Sequence, residues 1–321
     1  MSGESGHVNH GRRRPKPLDH RRLTARKRLL LLLVGAALAL PGRAAATPLM
    51  RVELHLAPGA RTTPHLLLFT LGGPIYCDQL KNLARNMDAS LACTDYGPNR
   101  YEVAGGRAGR REDWGDPRYL AEVARLPARL RAQGIKISKL VVVGVSYSGF
   151  ADAELVASHP EVGADALVVV DSYLDLAARF DALPLHHETR TEMETVLGGT
   201  PAQRPGAYRS RSPSHHLAGL ARAIRHGTHL VVVWSTSAGE QDEFNGATCS
   251  RLANAEWLSR LAGVLGQPVT GYVTRLPHAH ALWDRGQGLL SLAGIATNGK
   301  SLDAHAVTFA PGAAPPSDSY C

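Results

Sequence analysis

Ser146 lies in Lys139-Leu140-Val141-Val142-Val143-Gly144-Val145-Ser146-Tyr147-Ser148-Gly149-Phe150, where a β-branched apolar run ends in a small, serine-bearing turn and passes into a helix-like segment. A chain that leaves a buried strand for a helix within about two residues must turn sharply, which strains the turning residue and thrusts its side chain outward. Gly144, Ser148 and Gly149 are small enough to let such a turn close. The turn lifts a hydroxyl above the carboxyl edge of the sheet and aims the first N–H groups of the following helix at the same point. A nucleophile and an anion site then coincide, which is the arrangement acyl transfer requires.

A serine hydroxyl is a weak nucleophile until a base takes its proton, and the base in turn needs an orienting carboxylate. His280 is the first candidate base, because the Ala281-Leu282-Trp283 that follows starts a helix able to fix its backbone; His278, two residues earlier, is its rival. For the acid, Asp242 in Gly239-Glu240-Gln241-Asp242-Glu243 comes first, Glu240 second, and Asp171 approaches from a different strand end. His186, His187, His215 and His216 read as solvent-facing or substrate-lining. The oxyanion needs two donors. Tyr147 N–H, next to the nucleophile, is one, and Gly73, in the Gly72-Gly73 turn, is expected to supply the other; Pro74 has no N–H to offer.

The elements that must carry these groups are legible as alternating strands and helices. Val52, Leu54 and Leu56 alternate before Pro58-Gly59, which predicts an outer strand and a hairpin. His65–Thr70 is apolar almost throughout, as in a strand covered on both faces. A helix over 78–87 and a short strand over 91–94 follow, then an irregular loop over 99–116. Leu120, Val123, Leu126 and Leu130 predict one helix over 118–131, with Gly134 closing it. After the nucleophile strand and a helix ending near Pro160 come strands at Ala166–Val170, Leu230–Trp234 and Val269–Arg275, with helices at 251–265 and 287–295. The polar stretch 172–228 is longer than a plain crossover and predicts a small helical cap. The expected fold is therefore α/β, a mostly parallel, doubly wound sheet covered by helices on both faces, with chemistry at the carboxyl ends of its strands.

Composition narrows the functional classes. The formal net charge of +8 would suggest a nucleic-acid partner, but residues 1–46 hold ten Lys or Arg against two acids, and the remaining chain carries 26 basic and 26 acidic residues. No net positive field is left on the folded part, so no nucleic-acid partner is expected. The basic segment runs into twelve apolar or glycine residues, Leu29–Leu40, and then Ala44-Ala45-Ala46. A positive n-region, a short h-region and an Ala-x-Ala site predict a signal peptide over 1–46. As a helix, the twelve residues would reach about 18 Å, short of a ~30 Å hydrocarbon core. Membrane contact is expected only in transit, with the mature chain secreted or extracytoplasmic. The mature part then divides into a catalytic domain over 47–298 and a tail over 299–321. Its four cysteines predict two disulfides, Cys77–Cys93 and Cys249–Cys321. No Cys or His spacing indicates a metal site.

Gly-Gly-Pro after one strand, Gly-Val-Ser-Tyr-Ser-Gly after another, an acid loop after a later one and His-Ala-Leu-Trp near the end together resemble the α/β-hydrolase family over about residues 50–296. The resemblance implies an eight-stranded, mostly parallel sheet and a Ser-acid-His triad that uses no cofactor. Ser148 stands where the family has a second glycine, and the acid loop is longer than the family's pattern. The expected activity is ester hydrolysis on a small-molecule substrate. A serine peptidase and a non-catalytic binding protein on the same scaffold are the alternatives.

Overall fold

The structure is a computed structural model that describes residues 49–97, 100–102, 108–110, 113–235 and 247–314, all within the unit Thr47–Cys321. Among the described residues there are ten strands: β1 Met50–His55, β2 His65–Leu71, β3 Ser90–Tyr96, β4 Arg100–Glu102, β5 Ala108–Arg110, β6 Ile137–Val145, β7 Ala166–Val170, β8 His229–Ser235, β9 Val269–Thr274 and β10 Ala304–Phe309. Eight of them form one sheet in the order β1-β3-β2-β6-β7-β8-β9-β10, and β4–β5 make a separate two-stranded ribbon. Pairing is parallel except at the two edges, where β1 runs against β3 and β10 against β9.

The helices are α1 Pro74–Asn86, α2 Pro117–Val123, α3 Leu126–Ala132, α4 Ser146–Ser158, α5 Leu176–Ala182, α6 Glu188–Leu197, α7 Pro205–Arg209, α8 Leu217–Arg225, α9 Ala247–Leu265, α10 His280–Trp283 and α11 Gly286–Leu292. Because strand side chains alternate between faces, the apolar strands feed two cores at once. Leu67, Phe69, Leu140, Val142, Leu167, Val169 and Val232 pack with residues of α2, α3, α4, α8 and α9. Leu68, Val141, Val143, Val168, Val170, Val231 and Val233 pack with residues of α1 and α11. Helices on both faces and strands that end together create the edge at which the site is built.

Several sequence expectations change. The hairpin predicted at Pro58-Gly59 does not form: the chain turns there, but β1 pairs with β3, and β2 lies beyond it between β3 and β6. The single helix over 118–131 is two, α2 and α3. Pro127 has no N–H to give to the carbonyl of Val123, so the ladder breaks and restarts. The loop over 99–116 contains the β4–β5 ribbon. Ala304–Phe309, in the stretch expected to be tail, adds β10 to the sheet, burying Val307 and Phe309 on alternate positions. Cys77 and Cys93 form the expected disulfide, which ties α1 to β3; Cys321 and the side chain of Cys249 lie outside the described residues, as do residues 1–46.

The stretch 172–228 resolves into α5–α7 and then α8. α8 lies so close to α4 that a Cβ on Gly219 would collide with the Ala157 carbonyl oxygen. His216, just before α8, meets the buried Glu154 of α4 with 2.6 Å between Nδ1 and Oε1. Among the described residues no helix is long and apolar enough to cross a membrane.

Candidate functional site

β6 passes into α4 without a linker. Val145 is still extended at φ −129°, and Ser146, the first residue of α4, has φ +54°. That left-handed conformation costs a non-glycine residue of order 1–3 kcal/mol and must be held by its surroundings. The hold is visible. Ser148 Oγ accepts Val145 N–H at 2.8 Å and donates to Val145 O at 3.0 Å, stapling the turn. Ser172 Oγ donates to Ser146 O at 2.7 Å. A Cβ on Gly144 would run into the side chains of Asp152 and Ser148, and one on Gly149 would sit 3.0 Å from the Gly144 carbonyl oxygen. Ser148 in the place of a glycine is thus more than tolerated, because its hydroxyl closes the turn that lifts Ser146.

Asp171, at the end of β7, is nearly buried and also has positive φ, +47°. Its Oδ1 accepts Ser235 N–H at 2.6 Å and its Oδ2 accepts Ala279 N–H at 2.8 Å, so one carboxylate binds the ends of β7 and β8 to the loop after β9. His278 is carried by that loop with Nδ1 4.0 Å from Asp171 Oδ2, and its side chain is 27% exposed. Burial pushes the imidazole pKa down to about 4, helped by the positive fields of Arg179 and His280. His278 is therefore neutral near pH 7, the form that accepts a proton. His280 opens α10 with its side chain 39% exposed and Nδ1 2.6 Å from Asp284 Oδ2, and its ring stands beside Trp283. Asp242 and Glu240, the first two candidate acids, lie outside the described residues.

Tyr147 is fastened from behind. Its hydroxyl accepts Asp113 N–H at 3.1 Å, and its ring meets Trp114 edge-on with centroids 5.2 Å apart. Trp114 Nε1–H donates to Glu192 Oε1 of α6 at 3.2 Å. Asp113 is pushed up to about 6 by burial, against the hydrogen bonds of Tyr147 and of Gly115 N–H. On the other side, Gly72 and Gly73 have φ +101° and +85°, and a Cβ on Gly72 would sit 2.8 Å from the Tyr76 ring and 3.2 Å from Ser148 Cβ. The glycine turn thus meets the nucleophile turn. Gly73 N–H, the expected second oxyanion donor, donates to Thr94 O at 3.1 Å.

These contacts bring Ser146, Ser172, Asp171, Ser235 and the 277–279 loop to one edge, with Tyr147, Gly72 and Gly73 beside them. Among the described residues five non-glycines have positive φ, and four of them belong here: Trp114, Ser146, Asp171 and Ala279. Backbone strain concentrated at one edge makes that edge the candidate functional region. Glu192 was legible only as one of three unplaced cap carboxylates with Glu188 and Glu194, and Trp114 only as part of the 99–116 loop; Asp113 and Ser172 were not singled out, and Asp113 and Tyr147 are 34 positions apart and carry no motif. Ser172 did leave a signal, a small hydroxyl directly after a strand end.

Glu53, His55 and Cys77 come within metal-ligand range of one another, but Cys77 is consumed in the disulfide and Glu53 is paired with Lys81 and His55.

No protein-family model matches this chain, and no curated protein does. Among solved structures it is similar to a puromycin hydrolase, with TM-score 0.51 and 17% identity over 80% of this chain and 39% of that one. It is also similar to dipeptidyl peptidase 4 of Porphyromonas gingivalis, with TM-score 0.50 and 14% identity over 77% of this chain and 34% of that one. A third likeness is to an S-formylglutathione hydrolase of Agrobacterium tumefaciens, with TM-score 0.46 and 14% identity over 65% of this chain and 76% of that one. The chain thus spans well under half the length of the first two. With the eight-strand order, two covering helix layers and the serine turn between β6 and α4, the first two likenesses show that the chain has the α/β-hydrolase fold.

Proposed function

We propose that the protein is an exported serine hydrolase that cleaves carboxylic esters through an acyl-enzyme on Ser146. The observation that carries this is the conformation of Ser146: φ +54°, directly between a buried strand and a helix, and pinned on both sides by Ser148 and Ser172. In this scheme Ser146 Oγ attacks the ester carbonyl carbon while an imidazole takes its proton. The tetrahedral oxyanion is held by Tyr147 N–H and by Gly73 N–H, the latter after its peptide turns away from Thr94 O. Both glycines have the backbone freedom for that rotation. Collapse expels the alkoxide, which takes the proton back from the imidazolium; water then repeats the sequence and frees the acid.

His278 rather than His280 fits the base. It is the more buried of the two, it is neutral near pH 7, and it sits on the loop that Asp171 anchors, whereas His280 faces Asp284 on the next helix turn. Asp242 remains the proposed orienting acid. Both oxygens of Asp171 already receive backbone N–H groups, and 4.0 Å is beyond hydrogen-bond reach. Asp171 then acts as the brace for the histidine loop. Export is supported by the basic and apolar pattern of 1–46 and by the Cys77–Cys93 bridge.

A second reading, an aminopeptidase, draws on one observation: the half-buried Glu192 is held by Trp114, which packs on Tyr147. A carboxylate there is placed to take a free amine. A chain-length series of p-nitrophenyl esters run beside aminoacyl-nitroanilides separates the two. Ester turnover that vanishes in Ser146→Ala supports the esterase; turnover of the anilides alone, lost in Glu192→Gln, supports the peptidase.

A further inference from the structure

Asp152 sits in the second turn of α4, six residues after Ser146, and is fully buried. Its Oδ1 accepts Leu71 N–H at 3.0 Å, and its Oδ2 lies 3.3 Å from Thr70 Oγ1. These are the last residues of β2, immediately before Gly72 and Gly73. The β2–β6 ladder ends at Phe69–Val142 although β2 runs on to Leu71 and β6 to Val145, and past the last pair the carboxyl group of a helix residue takes the Leu71 N–H. The same carboxyl group packs beneath the nucleophile turn, since a Cβ on Gly144 would strike its Oδ2. One side chain thus touches both the strand that leads to Ser146 and the strand end that leads to the glycine turn.

We propose that Asp152 is a positioning residue of the proposed reaction, a clamp that sets the distance between Ser146 and the Gly72-Gly73 oxyanion turn. The proposal rests on the serine-hydrolase reading. Its hydrogen bonds also assign its protonation form. Thr70 Oγ1 has a single proton and lies 3.2 Å from Leu71 O as well as 3.3 Å from Asp152. With Asp152 as a neutral acid, its O–H donates to Thr70 Oγ1, the Thr70 proton goes to Leu71 O, and Leu71 N–H goes to Asp152 Oδ1, so every donor is used once. As a carboxylate it would leave two acceptors competing for the Thr70 proton in a fully buried site. Burial and the nearby Asp113 both favour the neutral form.

An amide keeps these three bonds, with one N–H of its NH2 in place of the O–H; an alanine does not. On a p-nitrophenyl ester, Asp152→Asn is expected to keep kcat within about threefold of wild type. Asp152→Ala should lose about 100-fold in kcat with KM nearly unchanged, the loss expected when an oxyanion donor is misplaced. Thr70→Val empties no space and covers the case in which the alanine variant does not fold; it should lower kcat by about tenfold, again with little change in KM. Infrared spectra at neutral pH should show a protonated-carboxyl carbonyl band in wild type that is missing from Asp152→Asn. An asparagine variant with an unchanged carboxyl band, or one as impaired as the alanine or valine variant, overturns the proposal. So do losses that fall on KM instead of kcat. Fluorophosphonate labelling of Ser146 in wild type keeps the two questions apart: an unlabelled wild type defeats the serine-hydrolase reading itself, whereas a labelled wild type with indifferent Asp152 and Thr70 variants defeats only the clamp.

Discussion

At the residue scale the choice between two histidines decides how the proposed site works. His278→Ala is expected to lower kcat by about 10,000-fold or more, as removal of a triad base does elsewhere, and His280→Ala to change it by less than about fivefold. Because the reaction needs the neutral imidazole and burial holds His278 near 4, kcat/KM should stay level on the acid side until the pH approaches 4 and then fall. The linkage has a definite sign. His278 binds its proton less readily in the folded than in the unfolded chain, so its contribution is complete above the unfolded value of about 6.5 and is lost as pH falls toward 4. Urea midpoints measured from pH 7 to pH 4 should therefore drop more steeply for wild type than for His278→Ala. Ser146 was legible because strand, small residues and helix all point to it. The choice between the histidines was not, because Pro277-His278-Ala279-His280 places both candidates on one short loop. The positive φ of Ala279 and the Asp284 partner on α10 separate them, and neither follows from spacing.

At the element scale the site depends on how β2, β6, β7, β8 and the loop after β9 end together. The apolar runs revealed the buried strands, because residues covered on both faces have no polar alternation to hide behind. Edge strands were harder. β1 was visible, but its partner was not, since pairing with β3 instead of β2 is a matter of topology and leaves no local trace. The break between α2 and α3 was written in Pro127, which the regular leucine spacing obscured. The disulfide gives this scale its test. Cys77 and Cys93 close a loop with a sequence separation of 16, which in the chain-entropy account contributes about 3 kcal/mol. The double variant Cys77→Ser, Cys93→Ser should lose about that much in urea unfolding while the folded fraction keeps its kcat, because the bridge joins α1 to β3 and the Cys77 N–H bond to Gly73 O is made by the backbone, not by the sulfurs.

At the scale of the whole molecule the positive charge belongs to residues 1–46, and the rest is balanced. The neutral body, the n-region and h-region pattern and the bridge together fit an exported enzyme that meets small substrates and not polyanions. The carboxyl-terminal stretch, expected as a tail, closes the sheet instead: β10 covers the edge of β9, and Phe309 stands beside Trp234 with ring centroids 6.3 Å apart. Phe309→Ala should cost about 3–5 kcal/mol, read from denaturant midpoints, as for other buried phenylalanines. The small residues and prolines around 304–309 masked a strand whose only local sign is Val307 and Phe309 on alternate positions. The proposed activity turns on one side chain, and the most direct measurement is fluorophosphonate labelling of the intact protein followed by peptide mapping. The predicted result is one adduct, on Ser146, absent from Ser146→Ala and formed far more slowly in His278→Ala; labelling of Ser146→Ala at the wild-type rate, or a folded wild type that takes no label, would contradict it.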